Sequence, residues 1–185
     1  MWKKLVISVV VLCVGTSLLC CGYVWNYRRQ VEAYARAERR SLQFGPLTRT
    51  YELFVPKNVV GSSPVPLLLV LHGGGGTGRG MQYLTLGRFN ELAEREGFVV
   101  AYPDGLKKNW NDGRDVPASE AHASKLDDVG FLKALIQKLQ TELSIDPSRI
   151  YACGISNGAF MSARLAIEAP DVFAAVALVT GSLPT

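Results

Sequence analysis

The sequence predicts an α/β fold: a mostly parallel, doubly wound sheet, preceded by an apolar N-terminal helix. Three observations point there. Short apolar runs recur at Pro66–Leu71, Phe98–Tyr102 and Arg149–Gly154, and such runs suit strands buried on both faces. Between them lie segments whose apolar residues step by three and four, the spacing of a helix face. Strand and helix alternate along the chain, the order that a parallel sheet covered by helices requires.

In chain order, Ser41–Phe44 and Leu47–Val55 alternate apolar and polar residues around Gly45-Pro46, which predicts a hairpin. Pro66–Leu71 is a buried strand running into His72-Gly73. Leu84–Arg95 has helical spacing through Leu86, Phe89 and Ala93. Phe98–Tyr102 is a second buried strand, stopped by Pro103, and a loop rich in Asn, Asp, Gly and Lys follows to about Ser124. Val129, Leu132, Ile136, Leu139 and Leu143 predict a helix over 127–144, with Asp127 or Asp128 as its N-cap. Arg149–Gly154 is then a strand, Asn157–Glu168 a helix and Val172–Val179 a strand.

Charge divides the 185 residues. The chain has 20 Lys and Arg against 16 Asp and Glu; residues 1–50 hold eight and two of these, so the remainder holds twelve and fourteen. The body is therefore slightly acidic, which argues against a nucleic-acid-binding domain. Cys13, Cys20 and Cys21 belong to the apolar N-terminus and only Cys153 to the body, so no intradomain disulfide is expected there. With His72 and His122 the only histidines, no multi-histidine metal site is expected; no cofactor is expected either.

Leu5–Trp25 is a run of 21 residues without a formal charge, between Lys3-Lys4 and Arg28-Arg29. About 20 apolar residues cross a bilayer, so residues 5–25 read as a membrane anchor or export signal, with cleavage or lipidation near Cys20-Cys21 as alternatives. The basic residues at 28–40 outnumber Lys3 and Lys4, and the positive-inside rule taken alone would keep the body cytoplasmic. The organisation is thus a signal or anchor over 1–26, a juxtamembrane linker over 27–40 and a catalytic-type domain over 41–185.

Gly154-Ile155-Ser156-Asn157-Gly158 carries the chemistry. This G-x-S-x-G lies between an apolar strand and a helix, the context in which such a serine sits on a sharp turn and points out of the sheet. Gly154 and Gly158 remove Cβ atoms that would clash, and the N–H of Asn157 is placed to stabilise an oxyanion. His72-Gly73-Gly74-Gly75-Gly76 follows the strand at 66–71 and offers a second donor by close backbone approach. A rival reading of the same glycines is a phosphate-binding loop spanning Gly73 to Gly78. It lacks its lysine and hydroxyl, because Arg79-Gly80 stands in their place. His72 reads as structural. Asp127 and Asp128 read either as helix caps or as paired acids. Trp110 and Arg114, in Trp110–Arg114, either contact substrate or form an ordered surface turn.

The strings LLLVLHGGGG, GFVVAYPDG, NWNDGR, DDVGFLKALI, DPSRIYACGISNGAFMSARLA and FAAVALVTG resemble, in order, the polyhydroxybutyrate depolymerase and feruloyl esterase-like family of α/β-hydrolases, over about residues 41–185. The resemblance implies an extracytoplasmic serine carboxylic-ester hydrolase, anchored or secreted, acting on polyhydroxyalkanoate, feruloyl or acetyl esters. It implies Ser156 as nucleophile and the N–H groups of Asn157 and Gly74 as oxyanion hole. The family also needs an acid and then a histidine after the serine. No histidine follows Ser156, and Asp171 is expected at a corner on the far side of the sheet. The expectation is an incomplete hydrolase domain with an unpaired terminal strand, inactive as 185 residues. The alternative is a degenerate, membrane-tethered binding protein without catalysis.

Overall fold

A computed structural model describes residues 17, 20–25, 37–59, 64–114, 120–123 and 125–182. Most of the apolar run at 5–25, the linker at 27–36 and the side chain of His122 lie outside the described residues. Residues 20–25 are helical and exposed, and among the described residues no helix is long and apolar enough to cross a membrane.

Six strands form one sheet in the order β1-β2-β4-β3-β5-β6. They are β1 (Glu38–Phe44), β2 (Leu47–Phe54), β3 (Val65–Leu71), β4 (Val99–Pro103), β5 (Ile145–Ile155) and β6 (Ala175–Val179). The β1–β2 hairpin is antiparallel, as is the β2–β4 pair, whereas β3, β4, β5 and β6 run parallel. Gly45, at φ 56°, makes the hairpin turn, a conformation that costs glycine little.

Apolar runs become strands buried on both faces, as the sequence predicts. Leu67, Leu69, Leu71, Val99 and Ala101 face a core built with α4 (Asp128–Glu142) and α5 (Asn157–Glu168). Val70, Val100 and Tyr102 face the opposite side, under α1 (Gly78–Leu84) and α2 (Arg88–Glu96). A short helix, α3 (Glu120–Ala123), lies in the long loop.

Four boundaries differ from the sequence reading, the first at β1, which starts at Glu38 inside the expected linker and not at Ser41. The helix expected over 84–95 starts only at Arg88, as α2, and a separate helix the sequence reading did not give, α1, precedes it and ends at Leu84. Leu86 (φ 54°) and Gly87 (φ 67°) are left-handed between the two, so the apolar spacing of Leu86 does not extend a helix. β5 starts at Ile145, four residues early, through an irregular pairing with Val65. β6 starts at Ala175 and not Val172, because the N–H groups of Val172 and Phe173 turn back to the Ala169 carbonyl. Asp127 alone caps α4, accepting the Gly130 N–H at 2.7 Å.

Candidate active site

Ser156 occupies the turn between β5 and α5, with φ 53° and ψ −120°. This sparsely populated region costs a non-glycine residue about 1–3 kcal/mol and is held only when the surroundings enforce it. They do so from three sides. The Ser156 carbonyl accepts the Ala159 and Phe160 N–H groups at 2.8 and 3.1 Å, and its own N–H donates to the Val179 carbonyl at 2.9 Å. A Cβ on Gly154 would lie 2.2 Å from the Gly158 oxygen, and one on Gly158 would lie 2.4 Å from the Leu71 oxygen. Both outer glycines of the motif are therefore required by backbone contact, and the serine side of the turn stays exposed.

The glycine run packs against this turn. A Cβ on Gly73 would meet the Ser156 Cβ at 3.5 Å, and one on Gly74 would stand 3.9 Å from the Asn157 Cβ. Gly75 and Gly76 commit their N–H groups to the carbonyls of Lys108 and Gly73, at 2.8 and 3.0 Å. The run thus brings Gly73 and Gly74, rather than its later members, to the serine. A cleft of about 240 Å³ opens there, lined by His72, Gly73, Gly74, Gly76, Thr77, Gly80, Met81, Leu84, Ile155 and Ser156.

His72 is structural, as the sequence suggests. Its Nδ1 lies 2.7 Å from the Gly73 carbonyl and its Nε2 accepts the Gly105 N–H at 2.9 Å, so the neutral ring carries its proton on Nδ1. Burial pulls its pKa below the ordinary value, partly opposed by the bond to Gly73. With both nitrogens engaged, the ring has none left to take a proton from Ser156.

Trp110 corrects the substrate-contact alternative. Its side chain is fully buried, and an enclosed ring offers a ligand no surface. Its indole N–H donates to the His72 carbonyl at 2.9 Å, and its ring lies against the His72 ring with centroids 5.0 Å apart. The Asn157 amide reads the Trp110 backbone on both sides: Oδ1 accepts the Trp110 N–H at 2.8 Å and Nδ2 donates to the Trp110 carbonyl at 3.0 Å. Nδ2 also donates to Asp112 at 2.6 Å. Arg114 is half exposed; it pairs with Asp112 at 2.6 Å and lies 3.6 Å over the Phe160 ring, one helical turn after Ser156.

The paired-acid reading of Asp127 and Asp128 also falls. Asp127 is the cap, while Asp128 is buried in an ion pair with Arg49 at 2.7 Å and accepts the Asn111 N–H at 2.7 Å. Arg49 further donates to the Asp104 carbonyl and lies 3.9 Å over the Phe131 ring. The phosphate-loop rival fails on charge. The Asp104 carboxylate already accepts the Gly78 N–H at 2.7 Å, where a phosphate would have to bind, and would repel it. Asp171 lines a shallow groove with Pro147 and Ile150, toward the opposite end of β5 from Ser156. Among the described residues, no group of three or more His, Cys, Asp or Glu stands close enough to hold a metal ion.

Sequence reasoning missed Arg49 and Asp112. A signal existed for Arg49: it shares the strand face of Tyr51 and Leu53, which the alternation sends inward. For Asp112 there was none, because its partner Asn157 is 45 residues away.

Comparison with known proteins agrees with this geometry. A family model described as esterase PHB depolymerase matches residues 49–184. The chain is similar to the esterase candidate NocK of Nocardia uniformis subsp. tsuyamanensis, at 34% identity over 85% of the chain and 45% of that protein. It is also similar to poly(3-hydroxyalkanoate) depolymerase C of Paucimonas lemoignei, at 31% identity over 75% of the chain and 33% of that protein. The solved acetyl xylan esterase from Aspergillus awamori shares the fold with TM-score 0.60 and 23% identity, over 76% of this chain and 51% of that one. The chain thus spans less than half the length of these curated relatives. With the elbow serine, its glycine neighbours and the family match over most of its length, the chain belongs to the PHB depolymerase family of esterases, on an α/β-hydrolase fold.

Proposed function

We propose that this chain supplies the nucleophile and oxyanion hole of a serine carboxylic-ester hydrolase. The observation that carries the reading is Ser156 held at positive φ on an exposed turn, with Gly73 and Gly74 packed against it. In the reaction, the Ser156 hydroxyl attacks the ester carbonyl while a base takes its proton. The N–H groups of Asn157 and Gly74 hold the oxyanion, the alcohol leaves with a proton, and water hydrolyses the acyl-enzyme. Met81, Leu84 and Ile155 in the cleft beside Ser156 favour an apolar group on the substrate. The ester class is that of the relatives: polyhydroxyalkanoate, feruloyl or acetyl esters.

The base and its carboxylate are not assigned. His72 is committed and no histidine follows Ser156 in these 185 residues. Without a base the chain by itself is expected to retain only a residual rate, since loss of a triad member leaves about 10³–10⁴-fold acceleration over water. The reading extends to location: residues 5–25 tether or export the domain, and catalysis takes place outside the cytoplasm. A strained serine argues against a purely binding role, because a binder gains nothing from that conformation.

The test is hydrolysis of p-nitrophenyl butyrate by the complete gene product from its own source. Ser156→Ala is expected to lower kcat by about 10⁴-fold or more. Turnover retained within tenfold would overturn the assignment.

A further inference from the structure

We propose that Trp110 is a positioning residue that sets the spacing between the two halves of the oxyanion hole. The inference rests on the reading above, that the Gly74 and Asn157 N–H groups bind the oxyanion.

These two donors come from different parts of the chain: the β3–β5 pairing and the packing of Gly158 on Leu71 and His72 bring the two backbones together, but neither contact reaches the Asn157 side chain. Gly74 follows β3, whereas Asn157 begins α5. A gap that is wrong by an ångström forfeits much of the stabilisation, because the donors have to meet an oxygen that forms only in the transition state. Trp110 is bonded to both halves. Its indole N–H holds the carbonyl of His72, two residues before Gly74, at 2.9 Å. Its backbone N–H and carbonyl hold the Asn157 amide at 2.8 and 3.0 Å. One residue therefore bridges the two donors through three hydrogen bonds, all of them buried.

The bridge is itself braced. Asp112 takes a second bond from the Asn157 amide at 2.6 Å, which fixes which way the amide faces. Arg114 holds Asp112 and lies on Phe160, so the brace returns to the same helix that carries Asn157. On the other half, the Gly75 N–H donates to Lys108, two residues before Trp110, and a Cβ on Gly74 would meet the Asn109 amide at 3.1 Å. Asn111 is in turn anchored by Asp128. Residues 108–112 thus act as a spacer wedged between the glycine run and the nucleophile helix.

The test uses the complete protein. Trp110→Phe keeps an aromatic ring in the core but removes the indole donor. The readouts are kcat and KM for p-nitrophenyl acetate, and the affinity for a boronic acid whose tetrahedral serine adduct mimics the intermediate. The expected result is a fall in kcat of tenfold to a hundredfold with KM within twofold, and a parallel loss of boronic acid affinity. A packing role alone would lower the melting temperature without moving this pair of readouts together.

Unchanged kcat and boronic acid affinity in a folded Trp110→Phe protein would overturn the proposal. So would a raised KM with unchanged kcat, which would make Trp110 a substrate contact. If Trp110→Phe does not fold, Asp112→Asn is read instead. It keeps an acceptor for the Asn157 amide but weakens the brace, and a fall of threefold to tenfold in both readouts is expected; no fall overturns the proposal. Full turnover by Ser156→Ala would instead mean that the underlying site reading has failed.

Discussion

The two flanks of Ser156 are built differently. On the inner flank, toward β3 and residues 104–112, buried side chains do the holding. Asn157 binds Trp110 and Asp112, Trp110 binds His72, and Asp128 binds both Arg49 and the Asn111 backbone. On the outer flank, among the described residues, the Ser156 N–H donates to the Val179 carbonyl and so continues the parallel β5–β6 pairing that ends at Ile155 and Val179. β6 is an edge strand of the described sheet, with Val179 51% exposed. The contrast teaches where precision is needed. The proposed oxyanion donors, the N–H groups of Asn157 and Gly74, lie on the inner flank, and donors of that kind have to be held in a fixed geometry.

The largest effect that tests this contrast is expected at Asp128. Asp128→Asn leaves the Arg49 guanidinium buried without its charge partner, on a pair whose side chains are 2% and 0% exposed. Breaking such a pair costs about 3–5 kcal/mol, read as a shift in the urea unfolding midpoint. A loss below about 1 kcal/mol would mean that the inner flank does not depend on this pair. Gly158→Ala comes next. Its Cβ would stand 2.4 and 2.5 Å from the Leu71 and His72 oxygens, so β3 and α5 would have to move apart. A loss of about 1–3 kcal/mol is expected in the same assay.

A smaller effect is expected from acid. The folded protein holds His72 neutral, with its pKa lowered by burial from the 6.5 of the unfolded chain. The unfolded state therefore binds the proton more readily. The resulting stability is fully present above pH 6.5 and declines as pH falls below it toward the lowered native value. Urea unfolding from pH 8 to pH 5 checks this. His72→Gln is expected to flatten the dependence in that range, and an unchanged slope would mean that other groups set it.

What the sequence reveals follows from range. The hairpin, β3, β4, α4 and α5 are written in periodicities of five to fifteen residues. The elbow is written in five adjacent residues. The spacer at 108–112 is not written locally. An aromatic residue in a loop rich in Asn and Asp reads equally as a ligand contact or a surface turn. What turns Trp110 inward is a carbonyl 38 residues earlier and an amide 47 residues later. The break at Thr85–Gly87 was hidden for the opposite reason. Leu86 repeats the helical spacing by coincidence, while Gly87 supplies the left-handed turn that ends it.

The smallest expected effect lies on β6. Its residues alternate: Val176 is half buried and packs against the core shared with α4 and α5, while Ala175, Ala177 and Val179 are exposed. Val176→Ala removes two methyl groups from that contact and is expected to cost about 1 kcal/mol. Ala177→Val adds the same two methyl groups on the open face and is expected to stay within about 0.5 kcal/mol of the parent. It also raises strand propensity, which acts in the stabilising direction. The two substitutions change the same atoms on adjacent residues, so their difference isolates the face rather than the strand. Measured by urea unfolding of the 185-residue chain, equal and large losses would show that both faces of β6 are covered. The outer flank would then be as tightly built as the inner one, and the steadiness of Ser156 on that side could no longer be put down to the β5–β6 pairing and its Val179 bond alone.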